Sequence, residues 1–318
     1  VNGLLEAWPE EQHGLQSGIS WLPLYHDMGL IGCVFPALLK GRDLTLLGPE
    51  AFVTRPALWV RSISRYKCTI STAPNFAYGM CVHKIKDADL EGVDLSTWQV
   101  ALNGAESISA ETLEAFSERF SQWGFNPKAL TPVYGLSEAA LAVTFSSLKE
   151  GWKQRTHPTK NRPIMSLGPP LPGFKLEIRS PDNNVLPEGQ VGHLWVQGPS
   201  LMRGYLQNPE ATDKVLQDGW LDTGDLGFLQ EGELHVVGRA KEVLILRGRN
   251  TPPEAVESAV AEIVGLRRGC AAAVCHRPPG AHTDELVLLV EQAKGLDLDP
   301  AQLAKDCREA VVASTGLL

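Results

Sequence analysis

The sequence predicts an α/β fold followed by a small α+β unit, and three observations support this prediction. Between residues 21 and 145, apolar runs alternate with amphipathic stretches, which is typical of helices packed around a largely parallel sheet. From residue 163 onward, short alternating segments separated by turn residues indicate antiparallel strands. After residue 242, a strand pattern, a helical pattern and a further strand pattern indicate a separate unit.

Composition limits the classes of function that the chain can have. Its 318 residues, 43% of them hydrophobic, can bury a large core and form two or three folded units. The formal net charge is −8, whereas proteins that bind polyanions normally present a basic face. We therefore do not expect nucleic acid, or an anionic membrane surface, as a partner.

The longest apolar stretch covers residues 29–39 and is broken by Pro36. It is too short to span a bilayer and instead predicts a buried element, so we expect no membrane span. Six cysteines are scattered without a Cys-x-x-Cys pair or zinc-like Cys/His spacing. This arrangement is typical of a reducing compartment, so the expected location is cytoplasmic.

In the α/β region, one helix is predicted with particular clarity. Its apolar stripe at helical spacing comprises Leu113, Phe116, Phe120 and Trp123. Ser109 is the expected N-cap, because a hydroxyl there can accept a hydrogen bond from a free backbone N–H of the first turn. We interpret the stripe as core packing rather than as a ligand site.

A polar stretch at residues 149–162 is expected to be a surface loop that separates the α/β region from the β-rich region. After it, apolar and charged residues alternate over residues 174–179, and similar patterns recur at 193–196 and 233–237. These patterns predict a small antiparallel β unit.

The last unit is predicted to contain a strand at residues 243–246 and another at 286–290. Between them, residues 251–254 (TPPE) have the form of a capping box with proline at the first helical position, so a helix should begin there. The expected buried stripe of that helix comprises Val256, Val260 and Ile263.

Three motifs indicate chemistry, although each taken alone is also compatible with an ordinary turn. Residues 131–139 (TPVYGLSEA) place a hydroxyl and a carboxylate after a glycine turn, which exposes backbone amides beside a metal-ligating oxygen. Residues 221–227 (LDTGDLG) place a carboxylate on a glycine turn, where it could accept two hydrogen bonds from a ribose. Residues 238–250 (GRAKEVLILRGRN) offer arginines, which suit nucleotide hydroxyls and phosphates.

In this order, the three motifs resemble the motif series of the acyl-adenylate-forming (AMP-binding) superfamily. Residues 21–30 (WLPLYHDMGL) are similar to its substrate-side histidine motif, and residues 103–106 (NGAE) to its adenine-binding loop. Residues 204–205 (GY) with 208–212 (NPEAT) resemble the segment that precedes its ribose-binding aspartate. The residues within these motifs are most similar to those of fatty acyl-AMP ligases and their long-chain acyl-CoA synthetase relatives.

The resemblance implies a domain organisation. Residues 1–241 would be the C-terminal part of a large, multi-layer α/β adenylating domain, with a small β-barrel-like subdomain at about 163–237. Residues 242–318 would be a truncated, mobile α+β C-terminal domain. Fatty acyl-AMP ligases typically contain an inserted segment in the region between Glu138 and Ser166, and whether this chain has it stays open.

The resemblance also implies an activity: ATP- and Mg²⁺-dependent activation of a fatty carboxylate to acyl-AMP, with release of pyrophosphate. Glu138 would hold Mg²⁺, and Asp225 would bind both ribose hydroxyls. Arg239 would bind the ribose or phosphate side, and Glu242 would be the hinge, where the family usually has aspartate. His26 would lie where the acyl tunnel meets the α-phosphate; the alternative is a buried histidine satisfied by hydrogen bonds.

The remaining nucleotide-binding positions implied by the resemblance form two groups. The adenine loop comprises Asn103, Gly104, Ala105 and Glu106. The turn beside it, with Tyr134 stacked near the adenine, comprises Tyr134, Gly135, Leu136 and Ser137.

The thiol acceptor of the acyl group remains open between two enzymatic alternatives. The leading one is the phosphopantetheine of an acyl carrier protein, and the second is coenzyme A. A third hypothesis is a non-catalytic acyl-binding or nucleotide-binding derivative. Because the family's phosphate loop and terminal lysine are not recognisable here, we expect little or no adenylation activity from the isolated chain.

Overall fold

The computed structural model describes residues 16–148, 150–158, 163–240, 244–246, 249–276, 285–296 and 299–316. The chain divides into two compact units, Val1–Val236 and Val237–Leu318.

A six-stranded sheet organises the first unit. Its strand order is β2-β1-β3-β4-β5-β6; neighbours from β2 to β5 run parallel, and β6 is antiparallel to β5. The strands are β1 (Gly18–Ser20), β2 (Leu44–Leu46), β3 (Ile70–Ala73), β4 (Val100–Asn103), β5 (Leu130–Gly135) and β6 (Ala142–Phe145). The predicted α/β class is confirmed, since helices follow most of these strands.

The helices of the first unit are α1 (Asp27–Gly29), a π-helical segment (Leu30–Val34), α2 (Phe35–Lys40), α3 (Pro49–Thr54), α4 (Ala57–Tyr66), α5 (Asn75–Lys84), α6 (Ala110–Ser121) and α7 (Pro209–Val215). Helix α6 is the one predicted from its apolar stripe. Its N-cap is Ser109, whose hydroxyl accepts from the N–H of Thr112. Trp123 lies just beyond the helix and is only partly buried against the same core.

The apolar stretch at residues 29–39 forms the π-helical segment and most of α2. Pro36 is the second residue of α2, which follows directly on the π-helical segment. Leu38 and Leu39, however, are 72% and 65% exposed, so the predicted burial is wrong for them. A helix lying on a sheet turns only one face toward it, and these two side chains lie on the other face. Within the described residues, no helix is long and apolar enough to cross a membrane.

The core of the first unit is centred on Trp59 in α4, whose side chain is fully buried. Four aromatic rings meet it edge to face at centroid distances of 5.3 to 6.3 Å: Trp21, Phe52, Tyr78 and Trp98. Its indole Nε1 donates to Ser71 Oγ at 2.9 Å. Helix α4 and strand β3 are therefore joined by both apolar packing and a buried hydrogen bond.

The β-rich region forms a second, five-stranded sheet with the path β11-β12-β10-β9, in which β13 also pairs with β12. Its strands are β9 (Lys175–Arg179), β10 (Gly192–Gln197), β11 (Leu216–Gln217), β12 (Trp220–Gln230) and β13 (Glu233–Arg239). The three predicted strand patterns correspond to β9, β10 and β13. Strand β10 is antiparallel to both β9 and β12, and β11 is antiparallel to β12, as predicted.

The expected surface loop at residues 149–162 contains a strand, so that prediction is wrong in part. Strand β7 (Gln154–Thr156) pairs with β8 (Pro163–Met165) in an antiparallel ladder. Lys153 and Arg155 form ion pairs with Glu233 and Glu231 respectively. These charged partners come from a distant part of the chain, so the polar stretch can be a strand without an apolar face.

In the second unit, β14 (Leu244–Leu246) pairs with β15 (Arg249–Thr251), and β16 (Leu266–His276) pairs with β17 (Glu285–Gln292). Helices α8 (Pro253–Val260) and α9 (Pro300–Thr315) complete it. The helix predicted after the TPPE motif is α8, but the capping box is wrong. Thr251 ends β15, and the N-cap is Pro252, which makes no side-chain cap hydrogen bond.

The buried stripe of α8 is confirmed at Val256 and Val260, both fully buried. Ile263 lies beyond the helix and is partly buried against the same cluster. A proline does occupy the first helical position, but it is Pro253 rather than Pro252, and it contributes to starting this helix without a hydroxyl cap.

Because Trp59 fills the centre of the aromatic core, Trp59→Ala should lower the free energy of unfolding of the first unit by about 3–5 kcal/mol. Urea unfolding followed by tryptophan fluorescence would measure this. Leu206→Ala, at a side chain 93% exposed, is the control and should change stability by less than about 0.5 kcal/mol. Equal effects of the two substitutions would contradict the assignment of Trp59 as the centre of the core.

Candidate functional site

The turn that follows β5 is set by a very close backbone approach. A Cβ on Gly135 would lie 1.9 Å from the carbonyl oxygen of Leu141, so only glycine fits there. A short 3₁₀ turn (Ser137–Ala139) follows. The hydroxyl of Ser137 donates to Asp27 Oδ2 at 2.6 Å, which links this turn to the beginning of α1.

Glu138 lies on the 3₁₀ turn and is held at two points. The phenol of Tyr205 donates to Glu138 Oε1 at 2.8 Å, and the N–H of Met202 donates to the Glu138 carbonyl at 2.7 Å. Burial, with the hydrogen bond to Glu138, raises the pKa of Tyr205 to about 12. The phenol therefore remains protonated at neutral pH and available as a donor.

Asp225 lies in an irregular part of β12 rather than on a glycine turn between two strands as predicted. Opposite β10 the register shifts, so that residues 223–225 face only Leu194. Gly224 has φ +75°, a left-handed conformation that favours glycine. Such bulges commonly redirect a side chain beside an active site.

The Asp225 carboxylate is 7% exposed and accepts a hydrogen bond from the Tyr134 phenol, with 2.6 Å between Oη and Oδ2. The backbone N–H of Asp225 donates to Thr223 Oγ1 at 3.1 Å. A buried carboxylate needs such donors, because burial without them is costly. Tyr134 thus fixes Asp225 from the strand that ends in the glycine turn.

Asn103 ends β4, which is the neighbour of β5. Its side chain is fully buried, and its Nδ2 donates to Asn75 Oδ1 at 3.2 Å. Its Oδ1 has no hydrogen-bond partner within the part of the chain that the structure describes. An unsatisfied buried acceptor of this kind is the feature expected of a site that receives a donor from a ligand.

The backbone after Asn103 is tightly constrained. A Cβ on Gly104 would lie 2.9 Å from Val133 Cγ2, and Ala105 has φ +72°. Glu106 Oε1 accepts from the N–H of Phe76 at 2.5 Å. Partial burial of the carboxylate raises the pKa of Glu106 above its ordinary value, a shift that the Phe76 bond opposes, although the residue keeps an exposed face.

His26 is the N-cap of α1. Its Nδ1 accepts from the N–H of Met28 at 3.1 Å and lies 2.7 Å from Asp27 Oδ1. The side chain is 52% exposed, which excludes the alternative of a buried, satisfied histidine. Since Asp27 also binds Ser137, the histidine segment and the turn with Glu138 are neighbours.

The first unit therefore brings together most of the residues predicted from the sequence. Hydrogen bonds and strand pairing connect the turn at residues 134–138 to Asn103, Asp225 and the histidine segment. Arg239 is the exposed last residue of β13 and falls in the second unit. Glu242, the predicted hinge, lies outside the described residues.

The residues present fit a nucleotide with Mg²⁺. Among the described residues no group of three or more His, Cys, Asp or Glu side chains could hold a metal by itself. Mg²⁺ in nucleotide sites, however, typically uses one or two carboxylates together with phosphate oxygens and water, and Glu138 could supply one such carboxylate. The unsatisfied Oδ1 of Asn103 and the fixed carboxylate of Asp225 suit a base and a ribose respectively.

Sequence reasoning missed three residues of this arrangement: Asn75, Asp27 and Tyr205. Asp27 and Tyr205 lie in stretches that resemble family motifs, and no role was predicted for any of the three residues. Asp27 is next to His26 at the start of a helix, where the helix dipole favours a carboxylate, so a local signal for this residue was available. The partners of Asn75 and Tyr205 are distant in sequence, so no local pattern identifies them.

The chain is similar to several known proteins. A family model described as AMP-binding enzyme matches residues 3–206. A putative acyl-CoA synthetase of Caulobacter vibrioides is 43% identical over 302 residues, covering 88% of this chain and 52% of that protein. The medium-chain-fatty-acid–[acyl-carrier-protein] ligase JamA of Moorena producens is 35% identical over 336 aligned positions, covering 96% and 56%.

Among solved structures, one from structural and functional studies of fatty acyl-adenylate ligases from E. coli and L. pneumophila is similar over most of this chain. It has a TM-score of 0.87 and 34% identity, covering 95% of this chain and 57% of that one. The chain spans about half the length of the curated relatives that it matches.

Removing the Tyr134 phenol should leave the buried Asp225 carboxylate short of one donor. We expect Tyr134→Phe to lower the free energy of unfolding by about 1–3 kcal/mol, measured by urea unfolding. Tyr66→Phe, at a side chain 50% exposed, is the matched control and should have almost no effect. An unchanged unfolding midpoint for Tyr134→Phe would show that the bond contributes nothing to stability.

Glu106 gives a prediction with a definite sign in pH. Its pKa in the folded chain lies above its pKa in the unfolded chain, so the folded chain binds more protons at pH values between the two. The charged carboxylate therefore costs stability at neutral pH. Glu106→Gln, whose amide oxygen can still accept from Phe76, should raise the melting temperature at pH 7. The gain should shrink as pH falls through the raised pKa of the folded chain and should be absent below the ordinary carboxyl pKa. A gain that is independent of pH would contradict this assignment.

Proposed function

The chain belongs to the AMP-binding enzyme family, and from this membership we propose that its site joins a fatty carboxylate to AMP, using ATP and Mg²⁺ and releasing pyrophosphate. The observation that supports the proposal most directly is the hydrogen bond from Tyr134 to Asp225. Tyr134 lies four residues before Glu138 in the sequence. The bond holds in place the carboxylate that we assign to the ribose, and Tyr134 lies on the same turn as Glu138, the carboxylate that we assign to the metal.

The reaction begins with two anions that repel each other. A carboxylate oxygen of the fatty acid forms a bond to the α-phosphorus, and the bond from that phosphorus to the bridging oxygen of pyrophosphate breaks. Bound Mg²⁺ would supply charge neutralisation for the phosphates. The work of the protein is alignment and electrostatic stabilisation, because no covalent enzyme intermediate is needed.

In this proposal each residue has a limited task. Asp225 accepts hydrogen bonds from both ribose hydroxyls and is kept in place by Tyr134. Asn103 Oδ1 accepts from the adenine amino group, and the loop through Gly104, Ala105 and Glu106 lines the base. Gly135, Leu136 and Ser137 form the turn that contacts the nucleotide.

Glu138 binds Mg²⁺ through its carboxylate. His26, exposed at the start of α1, orients the fatty carboxylate toward the α-phosphate, since its segment contacts the turn with Glu138 through Asp27. Arg239 binds the ribose or phosphate side. Glu242 acts as the hinge of a mobile C-terminal domain at 242–318, following a large domain at 1–241.

Acyl-AMP is a mixed anhydride that a thiol can attack, and we propose the phosphopantetheine thiol of an acyl carrier protein as the acceptor. The likeness to JamA, described as an acyl-carrier-protein ligase, supports this choice. Coenzyme A is the second candidate, because the Caulobacter vibrioides relative is described as a putative acyl-CoA synthetase. Both acceptors share the same first half-reaction.

Mass spectrometry of reaction products tests the proposal. The longest natural protein that contains this chain is incubated with ATP, Mg²⁺ and a series of fatty acids, with and without coenzyme A. Acyl-AMP that persists with coenzyme A present supports the proposal, whereas conversion to acyl-CoA supports the second candidate. Formation of neither product would overturn the activity itself. The 318-residue chain alone should form little or no acyl-AMP.

In the same assay, Asp225→Asn should reduce acyl-AMP formation by roughly a hundredfold, because the neutral amide cannot hold both ribose hydroxyls with charge-assisted bonds. Asp182→Asn, in an exposed turn before β10, is the matched control and should leave the rate unchanged. Equal rates for the two variants would remove Asp225 from the site.

A further inference from the structure

The segment from Gly204 to Thr212 folds back on itself. The N–H of Tyr205 donates to Thr212 Oγ1 at 2.9 Å, and the Thr212 hydroxyl donates to the carbonyl of Asn208 at 2.9 Å. The Asn208 side chain in turn accepts from the N–H of Ala211 at 3.1 Å and caps α7. The backbone position of Tyr205 is thereby determined by residues three to seven positions later.

Gly204 makes this folding back possible. It has φ +148°, a conformation that side chains rarely adopt. A Cβ there would lie 2.8 Å from Thr212 Cγ2 and 2.9 Å from its Oγ1. Any other residue would push Thr212 away and loosen the hold on the Tyr205 backbone.

The same segment is attached to the turn that contains Glu138. The Tyr205 phenol donates to Glu138 Oε1 at 2.8 Å, and the Met202 N–H donates to the Glu138 carbonyl at 2.7 Å. Ser200 Oγ donates to the carbonyl of Ala139 at 2.7 Å. Three hydrogen bonds from residues 200–205 therefore fix both the backbone and the carboxylate of this turn.

We propose that residues 204–212 form a scaffold whose purpose is to hold the Tyr205 phenol on Glu138, making Tyr205 a positioning residue for the metal-binding carboxylate. This inference rests on the proposed function, which assigns Mg²⁺ to Glu138. It gives a role to a motif that the proposed reaction does not otherwise use.

A phenol is well suited to this task. Glu138 is half-buried on a short turn, and a glutamate side chain there would otherwise lose considerable rotamer freedom when it binds a cation. A neutral donor restrains one carboxylate oxygen and leaves the negative charge intact. A lysine or arginine in its place would form an ion pair and compete with the cation for the same charge.

The first test is the metal dependence of acyl-AMP formation, measured in the longest natural protein that contains this chain. Tyr205→Phe should raise the Mg²⁺ concentration for half-maximal rate by about tenfold, because the carboxylate is no longer preorganised. The half-saturating concentration of the fatty acid should stay unchanged. Tyr66→Phe, on the exposed face of α4, is the matched control and should alter neither value.

The second test needs no activity. In metal-free protein, Tyr205→Phe should lower the melting temperature by about 2 °C, and this effect should disappear when Glu138→Ala has already removed the acceptor. Thr212→Val keeps the shape of the side chain and removes the hydroxyl that fixes Tyr205. It should shift the Mg²⁺ dependence in the same direction as Tyr205→Phe.

The outcomes separate this inference from the proposed function. If the enzyme forms acyl-AMP but Tyr205→Phe leaves the Mg²⁺ dependence unchanged, the positioning role is wrong and the proposed function stands. If no acyl-AMP forms, the proposed function is wrong, and the role of Tyr205 toward a metal-binding carboxylate is overturned with it. A melting-temperature effect of Tyr205→Phe that is equal with and without Glu138 would also overturn the inference.

Discussion

The hydrogen bond between Tyr134 and Asp225 is the interaction on which the rest of the site depends. Tyr134 belongs to the mostly parallel sheet, and Asp225 belongs to the five-stranded sheet. The bond therefore joins two layers with separate strand orders at one buried point. Neither side chain reaches the other unless both sheets are correctly formed, so the geometry of the site reports on the packing of the whole first unit.

The carboxylates around this point share one physical device. Asp27, Glu138 and Asp225 each accept a hydrogen bond from a neutral hydroxyl, supplied by Ser137, Tyr205 and Tyr134 respectively. Neutral donors fix the direction of a carboxylate and preserve its charge. Acidic groups that are ordered before a ligand arrives favour binding, since ordering them afterwards weakens it.

The sequence predicted those features of the fold that depend on interactions between residues close together in the chain. The α/β class, the helix α6 with its Ser109 cap and the strands β9, β10 and β13 all follow from periodicity and capping. The capping box at Thr251 was wrong because β15 extends to that residue. Strand β7 was missed because its stability comes from ion pairs with residues far along the chain. The bond of Tyr134 to Asp225 spans 91 positions and that of Tyr205 to Glu138 spans 67, which no single-sequence pattern encodes.

The irregular stretch of β12 has a consequence for how such a site is gained or lost in evolution. Three residues, 223–225, occupy the space opposite the single Leu194. The position of Asp225 therefore depends on the two extra residues in this strand as well as on the type of side chain. Deleting two residues there would restore regular pairing and remove the carboxylate without disturbing the ladder on either side. In an alignment of distant relatives, a two-residue gap at this point would therefore mark a protein that kept the fold and lost the carboxylate at this position.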